Sequence, residues 1–170
     1  ACAYGHTEIV QLLLAMDGVD VNLATADDGE TPLCCACFNG YAAVVQLLLA
    51  VDGVDVNQAR TDDGETPLCA ACFNGHAAVV QLLLAVDGVD VNQARTVDGE
   101  TPLCAACDQG HVEIVQLLLA VDGVDVNQAR TDIGATPLYA ACDQGRTEIV
   151  QLLLAVAGVD VNQARTVDGE

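Results

Sequence analysis

Cys69, Cys72 and His76 follow the spacing Cys-x2-Cys-x3-His, and Cys104, Cys107 and His111 repeat it. Thiolate and imidazole are the ligands zinc takes, so each triplet resembles half of a metal site. The same pairs raise nucleophilic catalysis, in which an imidazole takes the proton from a thiol. A second pattern is Asp-x-Asn, at Asp55 and Asn57, Asp90 and Asn92, Asp125 and Asn127, and Asp160 and Asn162. That spacing opens a calcium loop. Nine cysteines also invite disulfides.

Each chemistry weakens when its remaining requirements are counted. A closed zinc site needs four ligands. A catalytic thiol pair needs a third group to orient the base, and none is matched to these. The stretch Asp55-Val56-Asn57-Gln58-Ala59-Arg60 puts alanine where a third calcium ligand belongs and arginine where the loop turns on glycine. Cys69 and Cys72 fall on neighbouring turns of one helix, where bridging is strained, and an odd number of cysteines leaves one over. The alternative is that the cysteines are small buried hydrophobes. That implies a reducing compartment, so an intracellular, cytoplasmic location is expected.

Charge narrows the partners. The chain has 170 residues with 25 acidic and 5 basic side chains, all arginine, for a net charge of -20. A phosphate backbone or an anionic membrane surface needs a basic footprint, so neither nucleic acid nor membrane is an expected partner. Apolar stretches such as 77–86 fall far short of the roughly 20 residues that span a bilayer. A hydrophobic content of 52% also separates the chain from acidic disordered proteins.

The elements that must position these residues come from a period. All four prolines, at 32, 67, 102 and 137, are 35 apart, and all 15 glycines fall in three columns with the same step. Arg60, Arg95, Arg130 and Arg165 form another column. Repetition at this length means stacked units. In the unit 63–97, Thr66 is a good N-cap and Pro67 fits the first helical position. A first helix runs through Leu68 to Cys72 and stops near Asn74-Gly75. A second is expected over 79–85, with Val79, Leu82, Leu83 and Val86 as its apolar stripe. Residues 89–92 alternate apolar and polar, which predicts a short extended segment.

These residues resemble ankyrin repeats. The resemblance rests on Gly64-Glu65-Thr66-Pro67-Leu68, Ala71, Gly75-His76, Val80-Gln81-Leu82-Leu83-Leu84 and Gly88-Val89-Asp90-Val91-Asn92, and it recurs along the whole chain. It implies an all-α solenoid of helix-turn-helix repeats linked by hairpin-like fingers. The repeats read as 1–27 (partial), 28–62, 63–97, 98–132, 133–167, with 168–170 opening another. The simplest expectation is a piece of a longer array. The family period is 33, so there are two extra residues per repeat, and both are expected at the hairpin. Cys34, Cys69, Cys104 and Tyr139 replace a histidine that locks the helix start in the family, and a thiol is a weaker donor. The pattern also accounts for His76 and His111, and for Cys72 at a small-residue position. The asparagine column matches a position modified by oxygen-dependent asparaginyl hydroxylases in some members. The aspartates beside it are expected to cap turns and pair with the arginine column.

The resemblance implies a non-catalytic protein-binding scaffold, without cofactor, whose helix-1 ends and hairpins hold a protein of basic or mixed surface. Variation from repeat to repeat collects there. The candidate contact residues are Phe38, Phe73, Asp108 and Asp143, followed by Asn39, Asn74 and Gln109, with His76, His111 and Arg146 in the loops. The hairpins add Asp62, Asp63 and Ile133, and Glu30, Glu65 and Glu100 are expected to form a rim. The alternative for the phenylalanines is local core under the hairpin. Competing functions are a self-stacking or designed array with no dedicated ligand, and a metal protein. Placing Ala1 of one copy after Glu170 of another leaves a gap the length of Thr66 to Ala70, so head-to-tail self-association is a further expectation.

Overall fold

The structure is a computed structural model that describes residues 1–163; Arg165 and residues 168–170 lie outside the described residues. Among the described residues are a 3-10 turn, Cys2–Tyr4, and nine α-helices. These are α1 (Thr7–Leu14), α2 (Pro32–Phe38), α3 (Ala42–Leu49), α4 (Pro67–Phe73), α5 (Ala77–Leu84), α6 (Pro102–Gln109), α7 (Val112–Leu119), α8 (Pro137–Asp143) and α9 (Thr147–Leu154). They stack in two rows. Helix α2 packs on α4, α4 on α6 and α6 on α8, while α1, α3, α5, α7 and α9 form the second row in order. Each first-row helix also packs on the second-row helix that follows it. The result is the expected all-α solenoid.

Local chemistry starts each first-row helix. Thr31, Thr66, Thr101 and Thr136 hold extended backbone, and their hydroxyls accept from the amides of Cys34, Cys69, Cys104 and Tyr139. A proline follows each cap, where a missing N–H costs nothing. Near the helix end, the Asn39 and Asn74 side chains donate to the carbonyls of Cys35 and Ala70, at 2.8 and 2.9 Å. The inner first-row helices are buried almost all round, with Pro67 through Cys72 all buried, whereas α8 buries only Pro137, Ala140 and Ala141. Alanine and cysteine at those positions let the rows approach closely.

The second-row helix starts at Ala77, two residues before the expected Val79. Its stripe is also turned. Val79, Val80 and Leu83 are buried, whereas Leu82 and Val86 only pack against the core edge. Val80 therefore takes the place assigned to Leu82, because this face meets both the first row and the neighbouring second-row helices.

Residues 89–92 are not a strand but a chain of bends, with Val91 buried and Asp90 exposed. Of the two extra residues, one falls in the bend at 85–87 that ends α5 rather than at the hairpin. The other lies in the hairpin loop, closed by Arg60 N to Glu65 O at 2.9 Å and Gly64 N to Arg60 O at 3.1 Å.

Candidate interaction surface

Several polar side chains of each repeat reach into a neighbouring repeat. The Asn57 amide donates to Gly88 O at 2.8 Å and accepts from Asp90 N at 2.9 Å. Asn22, Asn92 and Asn127 do the same one repeat away. The aspartates beside them accept from the asparagine amide two residues on, at 3.0 Å for Asp55 and Asn57. This aspartate column therefore caps turns as expected, but among the described residues it forms no ion pair with the arginines, since its oxygens are turned into its own loop.

The arginines pair with a different set of carboxylates. Arg60 lies 2.9 Å from Asp62, 3.6 Å from Asp28, 3.8 Å from Asp63 and 3.7 Å from Glu65. Arg95 reaches Asp63 at 3.6 Å and Glu100 at 3.4 Å, and Arg130 reaches Glu100 at 3.0 Å, Asp98 at 3.3 Å and Asp132 at 2.8 Å. Each guanidinium thus spans a repeat junction in an acid–base ladder along the hairpins. Glu65 and Glu100 lie inside it, only 6% and 4% exposed. They are not the exposed rim expected beside the phenylalanines, because the guanidinium of the neighbouring repeat covers them. Burial pushes both carboxyls above their ordinary value, against the pull of the arginines.

The cysteines form a third set of junction contacts. The Cys34, Cys69 and Cys104 thiols point to the carbonyls of Glu65, Glu100 and Ala135, at 3.9, 3.7 and 3.7 Å. They keep an inter-repeat link with the weaker donor expected of a thiol. Burial pushes the Cys104 thiol up to about 12 and raises Cys37, Cys69, Cys72 and Cys107 as well. Such thiols are poor nucleophiles. Cys37, Cys72 and Cys107 fill the space between helices, whereas Cys142 is exposed and Cys2 half-buried. Among the described residues no group of three or more His, Cys, Asp and Glu side chains is arranged to hold a metal ion.

The loop residues close the junction on the helix-1 side. His76 Nε2 donates to the Phe38 carbonyl at 3.0 Å and His111 Nε2 to that of Phe73 at 3.1 Å. Arg146 donates to the Asp108 carbonyl from Nε and Nη2, at 3.3 and 3.2 Å. These three candidate contact residues are therefore engaged in stacking, as are Asn39 and Asn74 in ending their helices.

What stays open is the column at the helix-1 end. Phe38 and Phe73 are 41% and 38% exposed, so neither is closed core. Asp143 is exposed and Asp108 half-buried, with Gln109 donating to Asp108 at 2.9 Å. Asp62 is exposed, and Glu30, Asp63 and Ile133 are half-buried. A cleft between α6 and α8 is lined by Glu100, Asp108, Arg130, Ala135, Tyr139 and Asp143. Sequence reasoning missed Arg130, Ala135 and Tyr139 as neighbours of the Asp108 and Asp143 pair. The signal was present in the columns, since Ile133, Ala135 and Tyr139 all replace residues of other types in earlier repeats.

No helix among the described residues is long and apolar enough to cross a membrane. A family model for ankyrin repeats (3 copies) matches residues 1–95 and 86–165. No curated protein matches the chain.

Proposed function

The chain belongs to the ankyrin-repeat family, whose repeats are generally protein-interaction modules and typically non-catalytic, and on that premise we propose that it is a rigid scaffold binding a protein along the helix-1 ends and hairpins. The observation that carries this is a contrast. Asparagines, arginines and loop residues are consumed at the junctions, whereas Phe38, Phe73, Asp108 and Asp143 project from equivalent places with side chains that, among the described residues, make no hydrogen bond or ion pair to the next repeat. A stack locked by side-chain ladders loses little ordering entropy on binding. A net charge of -20 favours a partner with a basic or mixed surface and makes the encounter salt-sensitive.

Affinity capture from lysate tests this reading. Wild type is compared with a Phe38→Ala, Phe73→Ala chain and an Asp108→Asn, Asp143→Asn chain, at low and high salt. Partners lost from both variants and thinned by salt are the expected result. Partners retained in full by both variants would place binding elsewhere.

A further inference from the structure

Phe38, Phe73, Asp108 and Asp143 hold one position in α2, α4, α6 and α8, which stack in that order. The row is apolar in its first half and acidic in its second. The carbonyls of Phe38, Phe73 and Asp108 are each gripped by the next repeat, through His76, His111 and Arg146. Those bonds hold the spacing of the row. Packed helices lie about 8–10 Å apart, and an extended chain advances about 3.3 Å per residue. An extended segment laid along the row therefore meets one member of it about every third residue.

The acidic half has a shape as well as a charge. In the earlier repeats the hairpin supplies Asp63 and Glu65, or Asp98 and Glu100, to the ladder; at the equivalent places the next repeat has Ile133 and Ala135. Two carboxylates are thereby removed, and the space beside Ala135 and Tyr139 stays open as the cleft between α6 and α8. Glu100 in its wall is already paired with Arg95 and Arg130, which leaves Asp108 and Asp143 as the carboxylates at its mouth. That pair suits a cationic side chain entering from outside.

Resting on the scaffold reading above, we propose that the partner presents an extended segment with two apolar side chains at one end and two basic side chains at the other, each about three residues from the next. The apolar pair lies against Phe38 and Phe73. The basic pair lies against Asp108 and Asp143, with one member in the cleft. Charge complementarity selects this occupant over nucleic acid, and the uneven row fixes which end of the segment lies on which repeats.

Fluorescence anisotropy on the full chain tests it with labelled ten-residue peptides. One reads Leu-x-x-Leu-x-x-Arg-x-x-Arg with serine at x, and the other has the same order reversed. One of the two is expected to bind, at least tenfold more tightly than a peptide with one residue deleted between its halves. Asp108→Asn with Asp143→Asn, and Phe38→Ala with Phe73→Ala, are each expected to weaken it at least tenfold. Ile133→Asp with Ala135→Glu refills the cleft and is expected to weaken it too. Circular dichroism confirms that the surface variants fold. Failure of both peptides to bind, or equal binding by the deleted peptide, overturns the proposal. If capture from lysate still depends on Phe38, Phe73, Asp108 and Asp143 in that case, the scaffold reading stands and only the extended segment falls.

Discussion

The nine cysteines behave as two populations. Cys142 is exposed and Cys2 half-buried, and the rest are buried with raised thiol pKa values where a shift is resolved. Native labelling with a thiol reagent is expected to modify Cys142 fast and Cys2 more slowly, with the others reacting only in denaturant. Cys142→Ser should remove the fast phase; several fast thiols in that variant would contradict the burial. The ladder carboxylates make a second prediction. Burial raises Glu100, so the folded state holds its proton more tightly than the unfolded state does. Its contribution to stability is then present below the ordinary glutamate value of 4.5 and lost as pH rises through the raised folded value. Asp28 and Asp132 run the other way, held low by the Thr25 hydroxyl and by Arg130, so their contribution is lost as pH falls below about 3.8. Glu100→Gln is expected to flatten the stability profile just above pH 4.5 and leave the acid limb unchanged, as urea unfolding across pH will read. Which carboxylates turn inward could not be seen in the sequence. Asp63 and Glu65 look alike as surface residues, and which of them is buried depends on how the hairpin folds around Arg60 and against the next repeat. The asparagine column was visible as a pattern, but its purpose depends on the carbonyl it meets in the next repeat.

At the scale of the element, the starts of the first-row helices were legible because Thr-Pro is a local signal with a local cause. The second-row starts were placed late, since no side chain caps them and the backbone of His76 does the work instead. The extended segment at 89–92 was misread because alternation of Val and Asp there reflects bends tied by Asp90 and Asn92, not a pleat. Two glycines show how far tertiary context decides an element's tolerance. Gly64 and Gly88 both have positive φ, 75° and 86°. A methyl on Gly64 would sit 2.5 Å from the backbone nitrogen of Thr96, whereas one on Gly88 meets nothing within 4 Å. Gly88→Ala should cost about 1–2 kcal/mol, the ordinary penalty of left-handed backbone. Gly64→Ala should cost at least about 2 kcal/mol more, because the hairpin must move off its neighbour. Urea denaturation of the two variants decides it, and equal losses would show that the hairpin yields freely.

For the whole molecule, two electrostatic effects compete. The arginine ladder is attractive and partly shielded, with arginine side chains about one-fifth exposed. The remaining charge is a net -20 spread over an elongated stack and is repulsive. Exposed charges are screened over about 10 Å at 0.1 M salt, and half-buried pairs much less. Repulsion should therefore be screened first, and the Tm should rise with sodium chloride from about 20 mM to about 300 mM. A falling Tm would mean that the ladder outweighs the surface. The stack itself was the most legible feature, since a period of 35 in proline, glycine and arginine admits few other architectures. The interaction row was half legible, because a column names its members but not which of their atoms the junctions have already taken.

The asparagine ladder has a mechanical consequence. Asn22, Asn57, Asn92 and Asn127 each bridge one junction, through two hydrogen bonds to the repeat beyond. The rungs are in series along the stack, so a pull on its two ends loads every junction with the same tension instead of sharing the load among them. Such a chain yields by shedding whole repeats in turn. Each shed repeat pays out about 35 residues of slack, on the order of 120 Å, while the repeats still stacked keep their rungs intact.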